Sequence, residues 1–147
     1  MRFLTAMLLL SVNVHAAQVI EVHSGDTLTL KEQGKELKFR LANIDAPELD
    51  QPFGNSSRTS LEELCLGKEV SYEPQGGSAK DLPRAMVTCG ELDASRTQLR
   101  RGMAWVMPDA KIDAGFAAIQ DFVWRDKIGL WADSAPVPPW EWAERKK

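Results

Sequence analysis

Apolar side chains recur at every second position in short pieces between Gln18 and Ala42, and that period of two admits strands and excludes helices there. Ile20 with Val22, and Leu28 with Leu30, form two such pieces around Ser24-Gly25-Asp26, which reads as a tight turn. A second turn, Lys31 to Lys35 with Gly34, leads to Leu37, Phe39 and Leu41, which alternate with Lys38, Arg40 and Ala42. The alternation puts Arg40 on the face of its strand opposite the core. Pro47 cannot donate to a sheet ladder, so it closes this strand, and Glu48 follows on an exposed loop running to Gly54.

The pattern then changes to helical spacing. Asn55 to Leu66 starts with Asn and Ser, both good N-caps, places Leu61, Leu64 and Cys65 on one stripe, and stops at Gly67. Val70 and Tyr72 alternate in a fourth strand, Pro74 to Lys80 is a Gly/Ser-rich loop, and Ala85 to Cys89 is a fifth strand. Asp93 caps a second helix ending at Gly102, with Leu92, Leu99 and Met103 apolar. A third runs from about Asp113 to Ile128 with Phe116, Ile119 and Val123 as its stripe, ended by Gly129. The reading is mainly β, with five strands and three helices. The tail, residues 135–147, is rich in Pro and Trp and is expected to lie extended against the domain or to be partly mobile.

The first sixteen residues have a different logic. Arg2 precedes the apolar run Phe3 to Val12, and Val14-His15-Ala16 offers small or β-branched side chains where a signal peptidase reads them. The run falls short of the roughly 20 residues a membrane span needs. Residues 1–16 are therefore expected to be a signal peptide cleaved after Ala16, residues 17–134 one folded domain, and the product exported, periplasmic or secreted. Of 18 Lys and Arg, cleavage removes Arg2 alone and no acid, leaving 17 basic against 21 acidic residues, net −4. Such a chain cannot hold a polyanion by its overall field, so nucleic-acid binding would need local positive charge or a bound cation. Export would let Cys65 and Cys89 form the one available disulfide; two buried thiols are the other reading.

Three stretches in order resemble the staphylococcal nuclease (thermonuclease) family: Ser24-Gly25-Asp26-Thr27, then Arg40-Leu41-Ala42-Asn43-Ile44-Asp45-Ala46-Pro47-Glu48, then Asp81-Leu82-Pro83-Arg84. Gln51-Pro52-Phe53-Gly54, Arg101-Gly102-Met103-Ala104 and Gly129-Leu130-Trp131 extend the likeness over nearly all of the mature chain. The resemblance implies an OB-type five-stranded barrel with three helices, in agreement with the element count read from the pattern. It implies a Ca²⁺-dependent nuclease acting on DNA, with RNA left open as a second substrate, with little sequence preference and leaving 3′-phosphates and 5′-hydroxyls. Asp26, Asp45 and the backbone carbonyl of Ala46 would hold the cation. Glu48 would be the general base, and Arg40 and Arg84 would stabilise the transition state.

The residue chemistry agrees with that assignment. After cleavage only His23 remains among the histidines, which leaves neither a two-histidine acid–base pair nor a histidine-rich zinc site. Carboxylates suit a hard cation, and arginine forks suit phosphate oxygens. Lys80 and Arg58 are weaker candidates for backbone contacts and read more simply as solvated charges. Trp105 and Trp131 are expected in or near the core, with Trp140 and Trp142 anchoring the tail. Three departures from the family's pattern stand out: Ser24 where an aspartate is common, Leu82-Pro83 where tyrosine and glycine are usual, and Met107-Pro108-Asp109 where tyrosines are frequent. They keep a second reading open, a barrel with weakened catalysis that binds an oligonucleotide or another ligand. Neither reading demands more than a monomer.

Overall fold

The computed structural model describes residues 15–77, 79–110 and 113–147. Five strands carry the architecture: β1 (His15–Val22), β2 (Thr27–Glu32), β3 (Lys35–Leu41), then, past the two-residue β4 (Ile44–Asp45), β5 (Glu69–Pro74) and β6 (Arg84–Cys89). Antiparallel pairing runs β3-β2-β1-β5-β6, and a parallel contact between β3 and β6 closes the ring. Closure leaves these five strands as the barrel with helices outside it, the OB-like α+β architecture that the resemblance implied, with the five main strands that the pattern predicted. The turn between β2 and β3 has two residues, Gln33 and Gly34, both at positive φ (48° and 80°), as a tight hairpin requires.

The interior follows from the alternation. Val19, Leu28, Leu30, Leu41 and Leu61 are fully buried with Ile44, Val87 and Leu99, each contributing about 1.5–3 kcal/mol by burial. The expected pairing of Ile20 with Val22 on one face does not hold. Register moves from Val19 opposite Leu30 to Glu21 opposite Thr29, so Ile20 is the extra residue of a β-bulge and is exposed, while Val19 and Val22 turn inward. β3 also ends before Pro47: Asn43 takes a left-handed conformation (φ 68°) and starts β4. β4 pairs with a two-residue strand, β8 (Trp105–Val106), which follows a similarly short β7 (Leu92–Asp93).

Helix α1 (Gly54–Cys65) packs on β1 and on α2 (Ala94–Arg100), and α2 packs on β6 and on α3 (Ala114–Arg125). Asp93 and Asp113 cap α2 and α3 by accepting from backbone N–H groups of Arg96, and of Gly115 and Phe116. Asn55 and Ser56 are not caps, since α1 starts one residue earlier from Phe53, held left-handed at φ 67° with no side-chain cap. The tail is not extended. After a 3-10 turn at Gly129–Ala132 it forms a fourth short helix, α4 (Pro139–Glu144), and Trp140 meets Trp105 edge-on at 6.0 Å. Trp105 also packs at 4.1 Å on the buried Trp131, so both are packing residues, as expected.

Cys65 at the end of α1 is disulfide-bonded to Cys89 at the end of β6. The expected signal peptide lies outside the described residues except for His15 and Ala16, which pair with Tyr72 and Ser71 at the start of β1. Among the described residues no helix is long and apolar enough to cross a membrane. The bridge spans a sequence separation of 24 residues, and chain-entropy arguments assign a loop of that order about 3 kcal/mol. Replacing both cysteines by alanine is therefore expected to lower the unfolding free energy by about 3 kcal/mol, read from urea unfolding of the two proteins.

Candidate active site

The barrel's closing contact sets the site. Arg40 of β3 and Arg84 of β6 are register partners, and Arg40 N–H donates to the Pro83 carbonyl at 2.9 Å. That pairing uses only the carbonyl of Pro83, which proline retains, so the Leu82-Pro83 departure leaves the ladder intact. Arg40 points out of the core, as the alternation requires. Its Nη2 donates to Asp26 Oδ2 at 2.9 Å and to Asp45 Oδ1 at 2.6 Å.

Asp26 begins the segment after the Ser24-Gly25 turn and is buried. Ser24 Oγ and Thr27 Oγ1 donate to its Oδ1 at 2.8 and 2.7 Å, and Ala46 N–H donates to its Oδ2 at 3.0 Å. The turn can sit this close because residue 25 is glycine. A Cβ there would stand 1.7 Å from Ser57 Oγ and 2.9 Å from the Ala46 Cβ. Gln98 holds the turn from below: fully buried, it donates to the carbonyls of Gly25 (2.7 Å) and Ser57 (3.0 Å) and accepts from Ser60 Oγ.

Asp45 sits on β4, opposite Trp105, and Glu48 follows beyond the buried Pro47 on an exposed loop. Ser24, Asp26, Thr27, Arg40, Ala46, Pro47, Glu48 and Leu82 line one open cleft of about 230 Å³. Four of the six proposed site residues, Asp26, Arg40, Ala46 and Glu48, thus line it, and Asp45 joins them through its bond to Arg40. Arg84 does not join them there: its Nη1 lies 2.7 Å from Met107 Sδ, and it lines the neighbouring cleft with Asn43, Gln75 and Asp109. Arg58 is paired with Glu62 along α1.

The two aspartates respond oppositely to their surroundings. Burial raises Asp26, but the Arg40 charge and hydrogen bonds from Ala46, Thr27 and Arg40 outweigh it and hold its carboxyl below the ordinary 3.8. Burial and then the Asp26 charge push Asp45 up to about 7, with Arg40 opposing and Glu48 adding a smaller upward push. Two carboxylate oxygens that share one arginine nitrogen repel each other, and a hard divalent cation would relieve that repulsion. Asp26, Asp45 and the Ala46 carbonyl are an all-oxygen donor set, so the residues present fit such an ion. Among the described residues no group of three or more His, Cys, Asp or Glu is placed to hold a metal ion, here or elsewhere, so two carboxylates and a backbone carbonyl are all that the chain offers in this cleft.

Comparison with known proteins decides the family. The profile described as "Staphylococcal nuclease homologue" matches residues 38–133. The chain belongs to the staphylococcal nuclease family. Within it, the chain is 32% identical over 146 residues to an "Uncharacterized endonuclease" of Escherichia coli, covering 98% of this chain and 94% of the relative. It is 33% identical over 134 residues to an "Uncharacterized endonuclease" of Haemophilus influenzae (90% and 75%). It is also 29% identical to a "Micrococcal nuclease" of Shigella flexneri over 168 aligned residues (100% and 94%).

Sequence reasoning did not single out Gln98, and it marked Gln51 only within the Gln51-Pro52-Phe53-Gly54 match, with no role; its side chain accepts from the Glu48 N–H at 3.1 Å. A glutamine beside Leu99 on the inner face of α2 was the available signal for the first. For Asp45 the folded value lies above the ordinary 3.8, so its ionised form is disfavoured by folding. That penalty is absent below about 3.8, grows as pH rises, and is complete above about 7. In chelator-treated protein, the wild type should therefore lose stability relative to Asp45→Asn between about pH 4 and pH 7, checked by urea midpoints across that range.

Proposed function

We propose that the chain is an exported, Ca²⁺-dependent nuclease that hydrolyses phosphodiester bonds in DNA and RNA without sequence preference. The observation that carries this reading is the cleft in which Arg40 bridges Asp26 and Asp45 with Glu48 at the rim. Its relatives' names, nuclease and endonuclease, support the reaction class. The disulfide is compatible with an oxidising compartment, and cleavage after Ala16 would leave β1 starting at Ala17, with Val19 and Val22 still in the core.

Asp26, Asp45 and the Ala46 carbonyl would hold the cation, which when bound supplies positive charge against a phosphate oxygen. The chain's own groups do the rest. Glu48, exposed to water at the cleft rim, accepts a proton from the water that attacks phosphorus in line; the bond from phosphorus to the 5′ oxygen breaks, and that oxygen takes a proton from solvent and leaves as the 5′-hydroxyl. Arg40 is fixed by two carboxylates and keeps the rest of its guanidinium fork for a phosphate oxygen. Its charge offsets the extra negative charge of the five-coordinate transition state. Arg84 reaches the same phosphate from the other side of the β3–β6 seam after its side chain leaves Met107. Ser24 hydrogen-bonds Asp26 but lacks the negative charge that an aspartate there would add for the cation, and Leu82 offers an apolar wall without a tyrosine hydroxyl.

The Arg84 contact with Met107 favours the second reading, a binding barrel with weakened catalysis, and one experiment separates the two. Single-stranded and duplex DNA incubated with the processed protein should be cleaved with Ca²⁺ and left intact with EDTA. Glu48→Gln and Arg84→Ala should each lower kcat by about 10²- to 10³-fold. DNA that stays intact at high protein concentration with Ca²⁺ present would leave the binding barrel as the reading. Full turnover by either variant would remove that residue from the mechanism.

A further inference from the structure

The Glu48 carboxylate has no hydrogen-bond or ion-pair partner among the described residues, so its direction is set by the backbone that carries it. That backbone is held by a single side chain. Gln51 Oε1 accepts from the Glu48 N–H at 3.1 Å, and the Gln51 N–H donates back to the Glu48 carbonyl at 2.9 Å. The other end of the same amide, Nε2, donates to the carbonyl of Val137 at 2.5 Å. Gln51 is only 7% exposed, so both bonds are shielded from water and neither is readily replaced by it.

The neighbouring residue repeats the connection. Asp50 accepts from Trp142 Nε1 at 3.3 Å and forms an ion pair with Lys146. The far end of the loop is equally constrained: Gly54 N–H donates to the Gln51 carbonyl at 2.9 Å, and a Cβ on Gly54 would lie 1.9 Å from the Glu48 carbonyl oxygen. The loop is therefore clamped between α1 and the C-terminal segment. Val137, Trp142 and Lys146 all lie beyond residues 38–133, the span shared with the family profile.

We propose that Gln51 is a positioning residue through which the C-terminal segment, from Val137 to Lys146, sets where the Glu48 carboxylate points. This rests on Glu48 being the general base. Gln51 touches no reacting atom; it acts by holding the Glu48 peptide at one end of its amide and the tail at the other. Loss of the clamp frees the base to sample other directions while leaving Asp26, Asp45, Ala46 and Arg40, which are held independently, in place.

The test combines kinetics with amide exchange on the full chain. Gln51→Leu removes both side-chain bonds, Gln51→Glu keeps the acceptor for Glu48 and loses the donor to Val137, and Trp142→Phe keeps an aromatic ring, smaller than indole, and removes the N–H that donates to Asp50. In Gln51→Leu, kcat on single-stranded DNA should fall at least about tenfold with KM and Ca²⁺ affinity unchanged. The Glu48 amide should exchange with deuterium at least about tenfold faster by NMR. Gln51→Glu and Trp142→Phe should show smaller losses of kcat in the same direction, and they carry the test if Gln51→Leu does not fold. In a Glu48→Gln background the effect of Gln51→Leu on kcat should largely vanish, because the group it positions is gone. An equal loss in both backgrounds, or a Glu48 amide whose exchange is unmoved, would overturn the proposal. If Glu48→Gln alone turns over like the wild type, the general-base reading fails, and Gln51 with it as a positioning residue for catalysis. Faster Glu48 exchange in that case would leave the clamp as a structural feature only.

Discussion

The parallel contact between β3 and β6 extends over two residue pairs, Arg40 with Arg84 and Leu41 with Ala85, and the rest of the molecule is arranged around it. The contact closes the ring. Its inward side chains, Leu41 and Ala85, are both fully buried and seal the core, while its outward ones are the two arginines. A closed barrel thus places two guanidinium-bearing residues side by side as a by-product of sealing itself. Because parallel pairing is set by the strands on either side, moving one arginine relative to the other would require the whole ring to shift register.

A second constraint follows from the first. Arg40, fixed by the seam, faces two carboxylates that arrive on different segments, Asp26 from the turn before β2 and Asp45 from β4. One arginine cannot neutralise both the buried Asp26 and the half-buried Asp45, and the opposite shifts of the two, set by burial together with that shared charge, reflect it. The charge deficit is local. It explains how a chain with formal net charge −3 can still be built for a polyanion: the acidic balance over the whole surface matters less than a cleft in which cationic charge is wanted at one point.

Much of this was legible in the sequence because it depends on period and on special residues. Leu28, Leu30, Phe39 and Leu41 announced strands and put Arg40 outward, and Gly25 and Pro47 marked the turns that carry Asp26 and Glu48. What escaped was whatever depends on a single inserted residue or on partners far along the chain. The bulge at Ile20 inverts an alternation that looked regular, because a two-residue period carries no mark of one extra residue. Trp140 and Trp142 gave the tail's anchors but not its helix, since six residues led by Pro139 are too few for a periodic signal. Gln98 looks like a surface residue by type and Gln51 stood out only as part of a motif; what each holds becomes visible when Gly25 and Val137 are brought beside them.

The place of Arg84 shows where backbone and side chain part company. Its backbone position is fixed by the seam, and Pro83 fits because the ladder asks only for its carbonyl. Its guanidinium has more freedom, and it settles on Met107, which is itself tied by its N–H to the Asn43 carbonyl just before Asp45. A thioether is a weak acceptor, far weaker than a phosphate oxygen for an arginine. The contact therefore leaves the side chain beside the cleft rather than in it, and under the proposed mechanism a phosphate oxygen at Arg40 would displace the thioether as the stronger acceptor.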